Sequence, residues 1–386
     1  MRVAGNTIFP PNFFGRFSIL FAIIRQLHLT LVLLLTGEVF KYDYIFIDQL
    51  SACIPVLRFM APKVGILFYC HFPDYLLTAR DSFFKALYRV PFDWFEGITT
   101  GCAHAIVVNS RFTKSKFASA FPQISLVPNV VYPCVDTEPP AISSNVLPDQ
   151  GHKNIVSINR FERKKNIELA IHAFKRFAGV ESFRSRLIIA GGYDSRVQEN
   201  VSYHLELAAL CDELGLQHAT AKDFATPLPV REEINVLFLL SIPASVKAHL
   251  LNTASLVVYT PRNEHFGIVP LEAMRAGVPV LAHNSGGPLE TIQDGSTGWL
   301  REDDPGAWAL VMSRALFELT DDAVKEMGRL AKENVERVFS RPKMAESLEN
   351  EFDKIPERRG SPSGGLVLAI LAGFGLVIGM TLYAMI

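Results

Sequence analysis

Net charge is nearly absent from the 386-residue sequence: 38 lysines and arginines face 39 acids, for a formal charge of -1. A basic footprint for nucleic acid is therefore missing. Cysteines are few. Cys53, Cys70, Cys102, Cys134 and Cys211 are odd in number and scattered, with no CxxC pair. This argues against a disulfide framework or a thiolate zinc site and fits a reducing, cytosolic setting for the globular part. No Asp-x-Asp pair occurs either, which leaves no obvious carboxylate clamp for a metal ion. Charged side chains are also missing from residues 366–386, the last 21 of the chain.

At about 1.5 Å per residue, such a segment just crosses a hydrocarbon core of about 30 Å, so a C-terminal transmembrane helix is predicted over 366–386. A Gly/Ser/Pro linker precedes it, and Arg358 and Arg359 before that predict that the globular part stays on the cytosolic side. Residues 13–35 form a second apolar stretch, broken by Arg16, Arg25, Gln26 and His28. Charge in mid-segment argues against an ordinary span. It reads as a membrane-associated helix lying on the surface, with a core helix of the first domain and a true span as the alternatives.

What is present is an alternation of short apolar strands and helical segments, the pattern of an α/β doubly wound fold. Strands are predicted at 44–47, ending at Asp48, and at 63–69, leading into Cys70-His71-Phe72-Pro73. A helical region over 82–98 follows, then a strand at 105–108, with Asn109 and Ser110 placed to cap a helix from Arg111. Residues 124–127 are expected to close the domain, and the proline-rich run 128–148 reads as a linker. Strands at 154–158 and 187–190 and helices at 167–177, 305–339 and 343–352 organise a second half. The length suits two domains of about 150 residues each. Expected boundaries are 1–140, 141–345, a crossover helix and linker over 346–365, and the span over 366–386.

The stretch Pro261-Arg262-Asn263-Glu264-His265-Phe266-Gly267-Ile268-Val269-Pro270-Leu271-Glu272 carries the chemistry. It follows the buried-strand pattern Leu256-Val257-Val258-Tyr259. Pro270 can serve as a first helical residue, putting Glu272 in the opening turn, with Gly277 ending the helix. The free N–H groups of that helix start, together with its dipole, form an anion site suited to a diphosphate. A carboxylate on either side could accept hydroxyls of a ribose or hexose, although an acid in a first turn is favourable by itself. Basic residues in Arg160-Phe161-Glu162-Arg163-Lys164-Lys165 are equally readable as solvated loop charges.

Two glutamates separated by seven residues resemble the motif of the retaining glycosyltransferases of family four, whose GT-B architecture sets two Rossmann-like domains about a cleft. Together with Tyr69-Cys70-His71-Phe72-Pro73-Asp74, Val107-Val108-Asn109-Ser110-Arg111-Phe112-Thr113, Tyr132-Pro133-Cys134-Val135-Asp136 and Asn159-Arg160-Phe161-Glu162-Arg163-Lys164-Lys165-Asn166, they resemble the eukaryotic α-1,3/1,6-mannosyltransferases of lipid-linked oligosaccharide assembly. The resemblance covers residues 40–345. It implies that Arg160 and Lys165 meet the diphosphate, that Glu272 holds the ribose of a guanosine nucleotide, and that Glu264, His265 and the backbone at Phe266, Gly267, Ile268 and Val269 hold the mannosyl phosphate. His71 would reach the sugar from the other domain, and residues 239–242 would lie where the family reads the base. The glycines in 282–291 would let the backbone approach the donor.

The implied reaction moves mannose from GDP-mannose to dolichol-diphosphate chitobiose-mannose, with retention by a front-face route and without an obligatory metal or cofactor. The implied setting is the endoplasmic reticulum membrane, with the catalytic part facing the cytosol and other glycosyltransferases of the pathway as possible partners. Against the family pattern, the opening strands of the first domain are missing, so that domain is expected to be incomplete. Two other readings fit the residues: a related transferase using another nucleotide sugar, and a catalytically weak, membrane-tethered subunit of a transferase complex.

Overall fold

A computed structural model of the protein describes residues 9–10, 18–77, 83–136, 151–181, 185–224, 230–356 and 365. The predicted transmembrane segment 366–386, and residues 13–17 of the apolar N-terminal segment, lie outside them. The chain divides into two units, one of Met1–Tyr132 with Ala345–Ile386, the other of Pro133–Met344.

In the first unit, α1 (Ser18–Leu35) precedes β1 (Tyr44–Asp48), α2 (Ile54–Met60), β2 (Gly65–Cys70), the short α3 (Asp74–Leu77) and α4 (Phe83–Gly101). There follow β3 (Ala105–Val108), α5 (Arg111–Ala120) and β4 (Asn129–Val130). The strands form one parallel sheet in the order β1-β2-β3-β4. Every residue of β2 is buried, as expected for a parallel strand covered on both faces. Ser110 caps α5 as its sequence position predicts, its hydroxyl accepting the Thr113 N–H at 2.9 Å. The closing strand is Asn129–Val130, not 124–127. Pairing with β3 begins only past Pro128, which has no N–H to give.

Although α1 is long and apolar enough to cross a membrane, one side of it packs on the unit through Leu20 and Ile23. Gln26 ties it down, donating to the Leu50 carbonyl at 2.6 Å and accepting the Cys53 N–H at 3.3 Å. Its other side leaves Leu31 and Leu35 exposed. Packed and bare apolar faces thus share one helix.

The second unit runs β5 (Lys153–Ile158), α6 (Ile167–Glu181), β6 (Ser185–Gly191), α7 (Gln198–Glu213), β7 (His218–Ala221), β8 (Val236–Leu240) and α8 (Ala244–Thr253). It continues with β9 (Leu256–Tyr259), α9 (Ile268–Arg275), β10 (Val280–His283), α10 (Pro288–Thr291), β11 (Trp299–Arg301), α11 (Pro305–Ser313) and α12 (Asp321–Val338). The last helix, α13 (Arg341–Asp353), begins here, and its residues from Ala345 belong to the first unit. Its seven strands are all parallel, in the order β11-β10-β9-β5-β6-β8-β7. From β5 the chain builds outward through β6 to one edge; from β9 it builds through β10 to the other. The order therefore reverses between β5 and β9, and ligands of such sheets bind at the carboxyl ends of the strands flanking that point.

Candidate active site

The loops that leave β5 and β9 carry the residues singled out by the sequence. Arg160 and Lys165 follow β5, and Glu264 to Gly267 follow β9. Thr260 joins the two loops, its hydroxyl donating to the Lys165 carbonyl at 2.7 Å. Across this junction the Lys165 ammonium meets the Glu264 carboxylate at 2.5 Å, with only 11% and 22% of the two side chains exposed. A charge so far withdrawn from water persists because its opposite is in contact. The Tyr259 hydroxyl also hydrogen-bonds Glu264. Its pKa is raised well above the ordinary value, first by burial and then by that carboxylate.

The helix starts earlier than its sequence suggests. Gly267, with φ of 86°, is the N-cap of α9, and Ile268 is the first helical residue. Pro270 is thus third, and Glu272 lies beyond the opening turn. A left-handed residue ended the loop before the proline could set the helix, and a side chain at Gly267 would also crowd the Tyr259 ring at 3.1 Å. Free N–H groups remain at the shifted start. The N–H groups of Gly267, Ile268 and Val269 lack acceptors within the helix, and Pro270 occupies a place where a fourth N–H would have stood. Gly277 ends the helix as expected, at φ of 74°.

Two cavities adjoin this helix start. One, of about 290 Å³, is lined by Asn159, Arg160, Lys165, Tyr259 and Val269 among others, and also by Ile242 from the region assigned to the base. The second, of about 410 Å³, includes Ile268, Glu272 and Arg275. Lys247 of α8 lines both, and its ammonium donates to Glu272 at 2.7 Å. The sequence reading missed Lys247. It lies 25 residues from Glu272 in a different helix, and only the packing of α8 beside α9 brings the two together.

Other expected residues take less direct positions. Arg160 is 61% exposed and pairs with Glu162 at 2.9 Å, so it reaches the cavity wall without touching Glu264. The Phe266 ring is buried and packs on Phe339, which leaves only its backbone for a ligand. His265 is half-buried. The glycines of 282–291 serve the loop itself: a side chain on Gly287 would strike the Phe266 carbonyl at 2.0 Å, and the Gly287 N–H donates to Glu264 O at 2.8 Å. Gly286 and Gly287 let backbone approach backbone.

His71 lies in the first unit, after β2. Its Nε2 contacts Asp48 Oδ1 at 2.8 Å, and its ring meets Tyr69 edge-on at 4.7 Å. Asp48, readable from sequence only as the end of a strand, is the group that orients this imidazole.

Parallel sheets, a strand-order reversal and a helix start with acids on either side fit the glycosyltransferases of the GT-B class. Solved structures agree on the fold. Sucrose-phosphate synthase from Thermosynechococcus elongatus superposes with a TM-score of 0.66 at 17% identity, covering 89% of this chain and 81% of that one. Anabaena Alr3699/HepE in complex with UDP and glucose gives 0.60 at 18% identity, with coverages of 85% and 82%. Residues 140–337 match the family model described as Glycosyl transferases group 1.

Among curated proteins, the chain is 46% identical to alpha-1,3/1,6-mannosyltransferase alg-2 of Neurospora crassa over 397 aligned residues, spanning 98% of this chain and 84% of that protein. With alpha-1,3/1,6-mannosyltransferase alg2 of Schizosaccharomyces pombe, identity is 43%, over 100% of this chain and 77% of the relative. The chain belongs to the group 1 glycosyl transferases and, within them, to the α-1,3/1,6-mannosyltransferase family. It is an enzyme that transfers mannose.

Proposed function

We propose that this enzyme moves mannose from GDP-mannose to dolichol-diphosphate chitobiose-mannose, making the α-1,3 and then the α-1,6 linkage in the assembly of the N-glycan precursor. It does so at the endoplasmic reticulum membrane from the cytosolic side. The observation that carries this reading is the Lys165–Glu264 pair beside the α9 start, whose lysine is buried and lines a cavity of about 290 Å³. A diphosphate entering there meets Arg160, Lys165 and the amides of Gly267 to Val269. Glu272, held by Lys247, accepts the ribose hydroxyls. Glu264 and His265 hold the sugar, and His71 is a further residue assigned to it.

The chemistry follows from which groups are already engaged. Glu264 is bound by a lysine and a tyrosine hydroxyl, which suits a carboxylate that orients hydroxyls and not one that attacks carbon. The acceptor hydroxyl then attacks the anomeric carbon on the face the diphosphate leaves. The bond from that carbon to the phosphate oxygen breaks as the new one forms, and the hydroxyl proton passes to the departing phosphate. Charge building on the diphosphate is met by Lys165, Arg160 and the helix start, fixed dipoles and charges that need little reorganisation. The acceptor's lipid and the bare apolar side of α1 suit an enzyme working at a membrane.

Incubating membranes that carry the chain with GDP-mannose and dolichol-diphosphate chitobiose-mannose tests the proposal. Products larger by one and two hexoses are expected, with none from UDP-sugars. A UDP-sugar serving as donor while GDP-mannose fails would overturn it.

A further inference from the structure

The loop that carries His71 is held almost entirely by side chains. Among its amides, the His71 N–H donates to Gln49 Oε1 at 3.1 Å, and the Phe72 N–H donates to the buried Cys70 sulfur. Pro73 has no N–H, and the next two, Asp74 and Tyr75, both donate to the Glu96 carboxylate of α4, at 2.8 and 2.9 Å. Gln49 binds the other polar face, donating through Nε2 to the Phe72 carbonyl at 3.0 Å and to Asp74 Oδ1 at 3.2 Å. Its own backbone stands in the left-handed region, at φ of 64°, an uncommon conformation for a residue with a side chain. No strand pairing fixes residues 71–75; besides Gln49 and Glu96, the Cys70 sulfur and the Thr113 hydroxyl, which donates to the His71 carbonyl at 3.4 Å, hold the backbone of 71–75 from outside it.

Glu96 is an unusual choice for a purely structural cap. It is half-buried, faces Asp74 and Arg89, and has α1 above it contributing only Ile19 and Ile23 to the small cavity they share. A second carboxylate beside it is a cost the fold accepts while still using Glu96 to bind two loop amides.

We propose that Gln49 and Glu96 are positioning residues for mannosyl transfer, clamping the 71–75 loop from opposite sides so that the His71 imidazole, braced by Asp48, is presented in one orientation. The inference rests on the reading of His71 given above. It extends the reaction's machinery to two residues that touch no substrate. An imidazole displaced by about 1 Å can lose on the order of a hundredfold in rate while nucleotide binding is untouched.

Steady-state kinetics of the full chain in membranes, paired with hydrogen exchange at residues 71–75, test it. In Glu96→Ala, exchange at Asp74 and Tyr75 should quicken and kcat fall about tenfold to a hundredfold, with KM for GDP-mannose within about twofold of the native value. Glu96→Gln, which keeps one acceptor oxygen, should lose less. Gln49→Asn tolerates the left-handed backbone but is too short to clamp, so it tests the opposite side without disturbing α4. Each loss should vanish in a His71→Ala background, because the effect acts through that ring. Losses that multiply with His71→Ala, or unchanged exchange at Asp74 and Tyr75 in Glu96→Ala, would overturn the proposal. Should the native chain fail to use GDP-mannose, the proposed function falls, and the exchange data still decide whether the clamp exists.

Discussion

Two polar clusters of this chain are built on different principles. At the carboxyl ends of β5 and β9, charges are met by charges: Lys165 by Glu264 and Lys247 by Glu272, each partner brought by a different element. Around His71, hydrogen bonds from Gln49 and Glu96, with single contacts from Cys70 and Thr113, hold a loop outside any strand pairing. The first arrangement is anchored in a seven-stranded sheet and survives as a rigid frame. The second depends on a few contacts and can shift without unfolding its sheet. Binding of a charged donor suits the first; fine placement of a single ring suits the second.

Removing one half of the charged frame should have the largest effect. Lys165→Ala leaves the half-buried Glu264 without its partner and the diphosphate without a cation, and transfer from GDP-mannose should fall about a thousandfold. A circular-dichroism spectrum like that of the native chain would show that the fold persists. Full activity in this variant would mean that the frame is not the donor site.

Next comes the backbone contact that shapes the frame. Gly287→Ala places a methyl 2.0 Å from the Phe266 carbonyl. It should destabilise the second unit by about 3 kcal/mol, read from its thermal midpoint, and weaken GDP binding. A smaller loss is expected from Glu272→Ala, which should raise KM for GDP-mannose about tenfold or more while changing kcat little. Lys247→Met should act in the same direction, because it frees Glu272 from its hold. If Lys247→Met lowers kcat and spares KM, the pairing of Glu272 with the nucleotide is wrong.

The smallest effect belongs to the other cluster and depends on pH. Burial, with the neighbouring Asp74 carboxylate second, raises the Glu96 pKa from 4.5 to about 7. In the folded chain Glu96 therefore keeps a proton that it loses when unfolded. Its contribution to stability is full below about pH 4.5 and is lost as pH rises towards 7. Asp74 is raised as well, again chiefly by burial, and adds in the same sense. Exchange of core amides of the first unit should quicken across that range, and Glu96→Gln should flatten the dependence.

Much of the charged frame was readable before any coordinates. The spacing of Glu264 and Glu272, the β-branched run before them and the glycine after them announce a strand, a loop and a helix. The strand Ala105–Val108 and the Ser110 cap follow from local rules alone. The helix start was misplaced by two residues, at Pro270 in place of Ile268, because a proline's preference for the first helical position competed with a left-handed Gly267 that no local rule reveals. Lys247, Gln49 and Glu96 were invisible for a different reason. Each meets its partner only through packing between elements far apart in sequence, 25 residues for Lys247 and Glu272 and 22 for Glu96 and Asp74. Asp48 stood in plain view as a strand end, yet its role depends on β1 pairing with β2 in a register that sets Asp48 opposite Tyr69, two residues before His71.

Hydrogen exchange of the full chain with and without GDP tests the donor frame most directly. The amides of Gly267, Ile268 and Val269 should become protected when GDP is present, and should stay unprotected in Lys165→Ala at the same nucleotide concentration. Protection elsewhere on the chain, with those three amides unchanged, would contradict the assignment of the α9 start as the diphosphate site.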